Sequence, residues 1–503
     1  MESLPFSRLP DVNALFLDFV EAPEKVRDLY PPASTTRAAE IPHRAELCRI
    51  LRRQNESIGN PATASLIEKL SSGTAHCVVT GQQVGLLTGP LYTLWKALTV
   101  LKLSRKWERD GFTCVPIFWM ATEDHNWHEI MNFALLKEDF SLLEFSLKDH
   151  FFLQRRPTGD LPASHPEVRK ILLRCFRELN LPEVKSFYSD ATLAQAFAKT
   201  LLWLLRDFPI LVLDPSDPEL KKLAAPFFQR FFERSEAMLE QLAEQNRTLQ
   251  KRNYPTQVKM EEGVLPLFSI QMGERRHVRR GSNPATLPIE TLSPSALLRP
   301  LFQDYLLPTL AYVGGPGEIA YFAQLHPWYA TMELKQPRLI ARSSLTLLPS
   351  ATINFLGSRR LKPEELYMRE DILFDALLKD RDLEAARKDI HELRGAIKNQ
   401  FSRIHNGTER IDATLKKAGQ TSERKIDYQL EKLERKSLIA ARRKDALLAE
   451  QIKRAKTVVL PGDKLQERHL NVFSFASRLP EMIQEVYDRL DVEVQAHRGG
   501  VEE

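Results

Sequence analysis

The sequence predicts an α/β fold built on an open, doubly wound parallel sheet, followed by a long antiparallel helical hairpin. Three observations carry this. Short, continuously apolar runs alternate with helical patterns over residues 1 to about 375. Apolar residues then recur every seven positions between 381 and 457, and that stretch contains no proline. Continuous hydrophobicity suits strands covered on both faces, strand–helix alternation suits a parallel sheet, and a seven-residue repeat is the seam of a coiled coil.

The elements follow in order. HCVVTG (His76 to Gly81), CVPIFWMAT (Cys114 to Thr122) and PILVLD (Pro209 to Asp214) are the first three strands. TLAYVGG (Thr309 to Gly315) and PRLIARSSLTLL (Pro337 to Leu348) are candidates for the fourth and fifth. Helical patterns lie between them, in LYTLWKALTVLKLSRKW, ATLAQAFAKTLLWLLRDF and PELKKLAAPFFQRFFERSEAMLEQLAEQ. Two longer gaps, about 135–190 and 248–298, read as insertions; the second carries Arg275, Arg276, Arg279 and Arg280. Ile390, Ile397, Ile404 and Ile411 mark the seam of the hairpin, and AGQTSE (Ala418 to Glu423) places its turn near Gly419. Arms of about 35 residues would be roughly 50 Å long and would leave an apolar stripe for a partner, most simply a second copy of the chain. Residues 458–503 are expected to pack back on the core as a closing strand, turn and helix.

Composition bounds the function. The chain has 503 residues, 43% hydrophobic and 27% charged, and a net charge of +5. This is globular composition with room for two to four domains at about 150 residues each. Residues 381–456 hold 20 Lys+Arg against 12 Asp+Glu, so the hairpin carries +8 and the remainder −3. The opening MESLPFSRLP has no signal-peptide pattern. No stretch reaches the roughly 18 uncharged apolar residues of a membrane span; even WKALTVLKLSRKW is cut by Lys96 and Lys102. Cys48, Cys77, Cys114 and Cys175 are far apart and form no CxxC pair, so neither a disulfide framework nor a zinc knuckle is expected, and a reducing cytoplasm is the natural home.

Three polar, glycine-bearing segments sit where strands end. Thr80-Gly81-Gln82-Gln83-Val84-Gly85-Leu86-Leu87-Thr88-Gly89 joins the first strand to a helix, where backbone N–H groups and a helix N-terminus favour an anion. It is neither a Walker loop nor a GxGxxG fingerprint, and a plain tight turn explains it equally well. Glu123-Asp124-His125-Asn126-Trp127-His128-Glu129 follows the second strand; a histidine among carboxylates can act as acid or base, and the plain alternative is a polar helix cap. The spacing fits no standard metal motif, so no metal is expected. Gly314-Gly315-Pro316-Gly317-Glu318 follows the fourth strand; Glu318 either holds an amine or ribose hydroxyl, or complements the helix dipole. Arg299 before it and Arg338 and Arg342 after it are possible anion contacts or ion-paired strand ends. The Arg275 to Arg280 run reads as a solvated hairpin more readily than as a substrate loop. Convergence of three such segments on one rim is the case for an enzyme.

VVTGQQVGLLTGPLYTLWKAL, VPIFWMATEDHNWHEI, RPLFQDYLLPTLAYVGGPGEIAYFAQL and LPGDKLQERHLN, in this order, resemble the bacillithiol biosynthesis cysteine-adding enzymes over nearly the whole chain. Asn126 stands where that family's pattern has an aspartate. The resemblance implies a Rossmann-like core with connecting insertions, similar to class I aminoacyl-tRNA synthetases, and a coiled coil that makes a homodimer. It implies a ligase joining L-cysteine to the amine of glucosaminyl-malate, with ATP activating the carboxylate as an acyl-adenylate or acyl phosphate. On that expectation Thr80, Gly81, Gln82, Gln83, Gly85, Thr88 and Gly89 hold phosphates, and His125, Asp124 and Glu318 are catalytic. Gly314, Gly315, Gly317, Arg299 and Arg342 bind substrate. A synthetase-like protein gripping RNA with its basic hairpin is the main alternative, but only Phe401 and Tyr428 are there to stack on bases. Nucleic acid and membrane are therefore set aside as partners, and a scaffold would need no polar loops at strand ends.

Overall fold

The computed structural model describes residues 2–30, 41–130, 132–146, 155–378, 381–412, 415–490, 492 and 496–502. Part of the first expected insertion, 147–154, lies outside them. The chain divides into two compact units, Met1–Leu348 with Pro461–Glu503, and Pro349–Leu460.

The first unit is built on five parallel strands: β1 His76–Gln83, β2 Cys114–Ala121, β3 Leu211–Leu213, β4 Thr309–Gly314 and β5 Arg338–Ala341. Their order across the sheet is β5-β4-β1-β2-β3, and all neighbours run parallel. This is the Rossmann-like order, with its reversal between β1 and β4. The continuous apolar runs have the expected cause. Along β1, Cys77 and Val79 join one buried cluster with Ile117 and Trp119 of β2 and with Phe227, Phe302 and Phe322 from helices. Val78 faces the opposite way, into a cluster with Val100, Leu103, Ala311 and Val313. Side chains alternate across a strand, so a strand buried on both faces needs apolar residues at every position.

Five helices position the site. They are α1 Tyr92–Arg109, α2 Leu193–Leu204, α3 Ala225–Lys251, α4 Arg299–Leu306 and α5 Pro316–Thr331. Thr192 caps α2 through a reciprocal capping box with Gln195. The expected fifth strand is split in two. Arg338–Ala341 completes the core sheet, whereas Leu345–Leu348 joins a separate sheet with Glu2–Pro5 and Ala496–Glu502. Arg342, Ser343 and Ser344 separate the two strands, and their side chains serve the site described below.

The two expected insertions have structure of their own. The first holds an antiparallel pair, Phe133–Leu136 with Leu142–Phe145, and the helix Pro166–Glu178. The second holds three antiparallel strands, Val264–Gln271, Glu274–Arg279 and Leu292–Pro294. Met272 and Gly273 link the first two with φ of 51° and 76°, the two positive values a tight hairpin turn of this hand requires. The segment after 461 lies on the core: Asn471 N donates to Ala134 O, and Lys102 Nζ donates to Tyr487 O, both at 2.9 Å.

The second unit contains the hairpin, with arms Arg381–Glu409 (α6) and Leu415–Lys444 (α7), followed by Ala446–Val459 (α8). The expected turn near Gly419 is misplaced: the first arm ends at Glu409 and Gly419 lies inside α7. A Cβ at Gly419 would come within 2.8 Å of His405 Nδ1 on the facing arm. The glycine therefore serves close approach of two helices rather than a reversal. His405 Nε2 and Glu423 Oε2, 2.9 Å apart, bridge the arms beside it. Asp445 interrupts the second arm and caps α8 by accepting from Leu448 N. The boundary at Leu348 also differs from the expected 375. Residues 349–377 fold with the hairpin base, where Lys456 Nζ donates to Leu366 O at 2.8 Å. Among the described residues no helix is long and apolar enough to cross a membrane.

Candidate functional site

A cavity of about 720 Å³ opens at the carboxyl ends of β1, β2 and β4, where the strand order reverses. Open parallel sheets bind ligands at this point because adjacent loops diverge there, and the volume suits a small molecule. Three stretches expected from sequence reach its wall: Gly81 to Gln83, the segment from Glu123 to Glu129, and Gly315 to Glu318. Two more join them, Arg275 from the three-stranded sheet and Lys464, Arg468 and His469 from the last motif.

Lys96 lies at the floor. It sits one turn into α1, 3% exposed, and donates to Gly81 O at 2.8 Å and Gln82 Oε1 at 2.9 Å. Its third partner is Glu318, with which it forms an ion pair. Glu318 is the third residue of α5. Its carboxylate also accepts from Gly315 N at 2.8 Å and from the Tyr312 hydroxyl. Burial alone would push this carboxyl up. Lys96 and the Gly315 N–H outweigh burial and hold it below the usual carboxylate range. Burial draws Lys96 down, against the pull of Glu318. Glu318 thus caps the helix, the plainer of its two sequence readings, and its carboxylate is already paired with Lys96 of the same chain.

Arg299, at the start of α4, also lines the cavity. It donates to Gln303 Oε1 at 3.0 Å, Tyr312 OH at 3.2 Å and Tyr321 OH at 2.7 Å, all neutral groups. Arg342 differs. Its guanidinium makes a two-pronged pair with Glu467 at 2.8 and 2.7 Å, and both side chains are almost fully buried. Of the two arginines expected to meet a substrate anion, Arg342 is paired with a carboxylate, whereas Arg299 has no ion-pair partner among the described residues and makes its hydrogen bonds to neutral groups.

The opposite wall follows β2. Gln83 Nε2 bridges two carboxylates, Asp124 Oδ2 at 2.7 Å and Glu129 Oε2 at 2.8 Å. Asp124 Oδ1 accepts from His125 N and Asn126 N, which shapes the turn. His125 itself is not part of the cavity wall. Its ring packs edge-on against Phe268, and Arg275 Nη1 donates to its Nδ1 at 3.1 Å. An arginine can only donate, so that nitrogen is the acceptor and the imidazole is neutral. Burial first, and then Arg275, push its pKa down. His128 and His469 are the histidines that line the cavity. Glu123, a further wall residue, forms a buried ion pair with Lys221 at 2.6 Å.

The glycine turn after β1 divides in function. Gly81, Gln82 and Gln83 face the cavity. Thr80, Gly85, Thr88 and Gly89 are buried and do not. The Thr80 hydroxyl donates to Val313 O of β4 at 2.8 Å. Gly85 N donates to Gln83 O at 2.9 Å and Gly89 N to Leu86 O at 2.8 Å, so two of the N–H groups expected to meet phosphate are occupied, and Leu87 N between them donates to the Tyr188 hydroxyl at 2.8 Å. Asn471 Nδ2 holds the carbonyls of Leu87 and Gly89 from the other side. The glycines are there for the turn itself: a Cβ at Gly85 would lie 3.0 Å from Gly89 Cα, and φ is positive at Leu87, Thr88 and Gly89. Gly314 is likewise structural, its carbonyl accepting from Arg342 N, whereas Gly315 and Gly317 reach the cavity.

Sequence reading gives no role to Lys96, Gln83 as a bridge, Glu129, Glu467 or the Lys464–His469 stretch, and it ranks a substrate loop at Arg275 below a solvated hairpin. One local signal existed: Lys96 is a charge on an otherwise apolar face just after a glycine turn. Of the four arginines in the run Arg275 to Arg280 only Arg275 is buried, reaching Ser293 Oγ and Pro294 O, while Arg276 and Arg280 pair with Glu274 and Glu236 at the surface. Among the described residues no group of three or more His, Cys, Asp or Glu could hold a metal ion. All four cysteines are buried, and none lines the cavity.

Comparison with known proteins follows the same division. Residues 2–286 and 283–343 match the family model described as "Bacillithiol biosynthesis BshC, N-terminal Rossmann-like domain", and residues 345–498 match "Bacillithiol biosynthesis BshC, C-terminal coiled-coil domain". A protein of Solibacter usitatus named "Putative cysteine ligase BshC" is 32% identical, with 98% of each chain covered. Proteins of the same name from Koribacter versatilis and Salinibacter ruber are 29% identical (95% of each chain) and 30% identical (96% of this chain, 95% of theirs). A solved structure titled as a putative arginyl-tRNA synthetase from Campylobacter jejuni aligns with 82% of this chain and 98% of its own, at 12% identity and a TM-score of 0.25, too slight to bear on the fold.

Proposed function

The chain belongs to the bacillithiol biosynthesis BshC family, and from that premise we propose that it is a cysteine ligase joining the carboxylate of L-cysteine to the amine of glucosaminyl-malate. One observation supports this above the others. A single cavity gathers the ends of β1, β2 and β4 and sets Arg299, Lys464 and Arg468, cations with no ion-pair partner among the described residues, in the same wall as the carboxylate Glu129. A substrate with two carboxylates and one amine asks for that distribution.

A free carboxylate is a poor acyl donor, so amide formation needs activation, and ATP would supply it as a mixed anhydride. On this reading Arg299 and the first turn of α5 at Gly317 hold anionic groups. Lys96 fixes Gly81, Gln82 and Glu318 relative to one another, and so joins the ends of β1 and β4. His125 acts through Arg275 as a positioning residue. The RNA alternative has only the +8 of the hairpin in its favour. The test is direct. Purified protein given L-cysteine, glucosaminyl-malate and ATP should form bacillithiol, detected by mass spectrometry, and omission of any one should abolish it. No product with all three present would sink the proposal.

The hairpin is read as the contact of a homodimer. Its seam opens along the first arm: Ile390 is 8% exposed, Ile404 46% and Ile411 80%, and Leu393, Ile426 and Leu433 are exposed as well. Apolar residues in this pattern call for a covering surface. Sedimentation at micromolar concentration should give about twice the 57.8 kDa of one chain. Glutamate at both Ile404 and Ile426 should shift the species to one chain. A monomeric parent would overturn the reading.

A further inference from the structure

The cavity wall contains four carboxylates, and three of them are matched by a cation. Glu123 pairs with Lys221, Glu318 with Lys96, and Asp124 with Arg275 at 3.8 Å. Glu129 is the fourth, and among the described residues it has no ion-pair partner; its hydrogen bonds come from two neutral amides. Its position is nevertheless fixed. Gln83 Nε2 and Asn126 Nδ2 both donate to Oε2, at 2.8 and 3.1 Å, and Gln83 is itself anchored on Asp124. Oε1 has no hydrogen-bond partner among the described residues. A carboxylate steadied on one oxygen by neutral donors and open on the other is organised for a cationic N–H donor from outside.

We propose that Glu129 receives the ammonium group of the acceptor and is the base that takes its proton. The inference rests on the ligase reading and names the residue that prepares its nucleophile. The ammonium gives one proton to Glu129 Oε1. The freed lone pair attacks the carbonyl carbon of the ATP-activated cysteine and forms the C–N bond. The C–O bond to phosphate breaks, its electron pair leaving on the phosphate oxygen, and the second proton passes from nitrogen to that oxygen. Desolvation raises the Glu129 carboxyl above the usual carboxylate range, with the Gln83 amide opposing, the direction that makes it a better proton acceptor. His128 and His469 share the wall, but neither is tied into the Gln83 bridge, and His469 is turned toward Glu144 at 3.3 Å.

Glu129→Gln separates this step from activation. The variant keeps the side-chain shape and an oxygen that can accept from Gln83 and Asn126. With L-cysteine, ATP and hydroxylamine in place of glucosaminyl-malate, it should form cysteinyl hydroxamate at the rate of the parent, which also shows that it is folded. With glucosaminyl-malate its turnover near pH 7 should fall about 100-fold or more and recover as pH rises and free amine is supplied by solvent. Bacillithiol formation at the parental rate would overturn the assignment. So would loss of hydroxamate in the variant alone, because Glu129 would then serve cysteine and not the acceptor. If the parent chain itself gives no hydroxamate, the ligase reading fails and this inference falls with it.

Discussion

Glu467→Ala should destabilise the first unit by about 3–5 kcal/mol, because it strands a buried arginine. Glu467 and Arg342 are 3% and 4% exposed, so their two-pronged contact is almost fully withdrawn from water. Glu467 also accepts from Ser344 Oγ at 2.9 Å and from Leu345 N at 3.3 Å. Taking two charges out of water costs nearly what their attraction returns, so the pair adds little net stability, but either charge alone is expensive. The double change Arg342→Met with Glu467→Leu removes both charges at similar volume and should therefore cost less than Glu467→Ala alone. All six tryptophans lie in the first unit, and Trp95, Trp119, Trp127 and Trp328 are fully buried. Tryptophan fluorescence during urea unfolding thus reports the unit that holds the pair. A loss below about 1 kcal/mol in Glu467→Ala would mean that Arg342 finds water or another partner. The position matters for the site as well, since Glu467 stands in sequence between Lys464 and Arg468, which line the cavity, and holds Arg342, which lines it too.

This pair also shows what sequence could and could not reveal. Arg342 and Glu467 are 125 residues apart, and nothing local marks them as partners. The strands were legible because burial on both faces forces a continuous apolar run, a signal contained in eight residues of β1 or β2. The coiled coil was legible because its period is local too. Its turn was misplaced because Gly419 was taken as a break, when the close approach of His405 from the other arm is what excludes a side chain there. The glycine turn after β1 was correctly placed at the end of a strand, but its occupancy depends on Tyr188 and Asn471, 101 and 384 residues away from Leu87. His125 was singled out for its chemistry, yet the direction of its ring is set by Phe268 and Arg275, from an insertion whose register the sequence does not declare. Which segments approach the site could be read; which of their side chains face it is decided by partners remote in the chain.

Arg299→Met should cost activity without costing stability. The guanidinium is held by Gln303, Tyr312 and Tyr321, which orient it but cannot neutralise it. Arg299 is half-buried, and a charge held there by neutral groups adds little to stability over an apolar side chain of similar length, so the variant should unfold at the same urea concentration as the parent or a higher one. The same charge, facing the cavity with only neutral groups bonded to it, is available to an incoming carboxylate or phosphate. Truncating one side of such a buried contact costs about 2–4 kcal/mol, so kcat/KM should fall about 30- to 1000-fold. Arg299→Lys keeps a charge but loses the planar fork, and it should recover only part of the loss. Calorimetric titration then identifies the anion. A selective loss of affinity for ATP assigns Arg299 to phosphate, and a selective loss for glucosaminyl-malate assigns it to the malate carboxylates. If Arg299→Met instead binds both ligands like the parent and melts earlier, the arginine serves the fold, and the anion end of the cavity must be sought at Lys464 and Arg468.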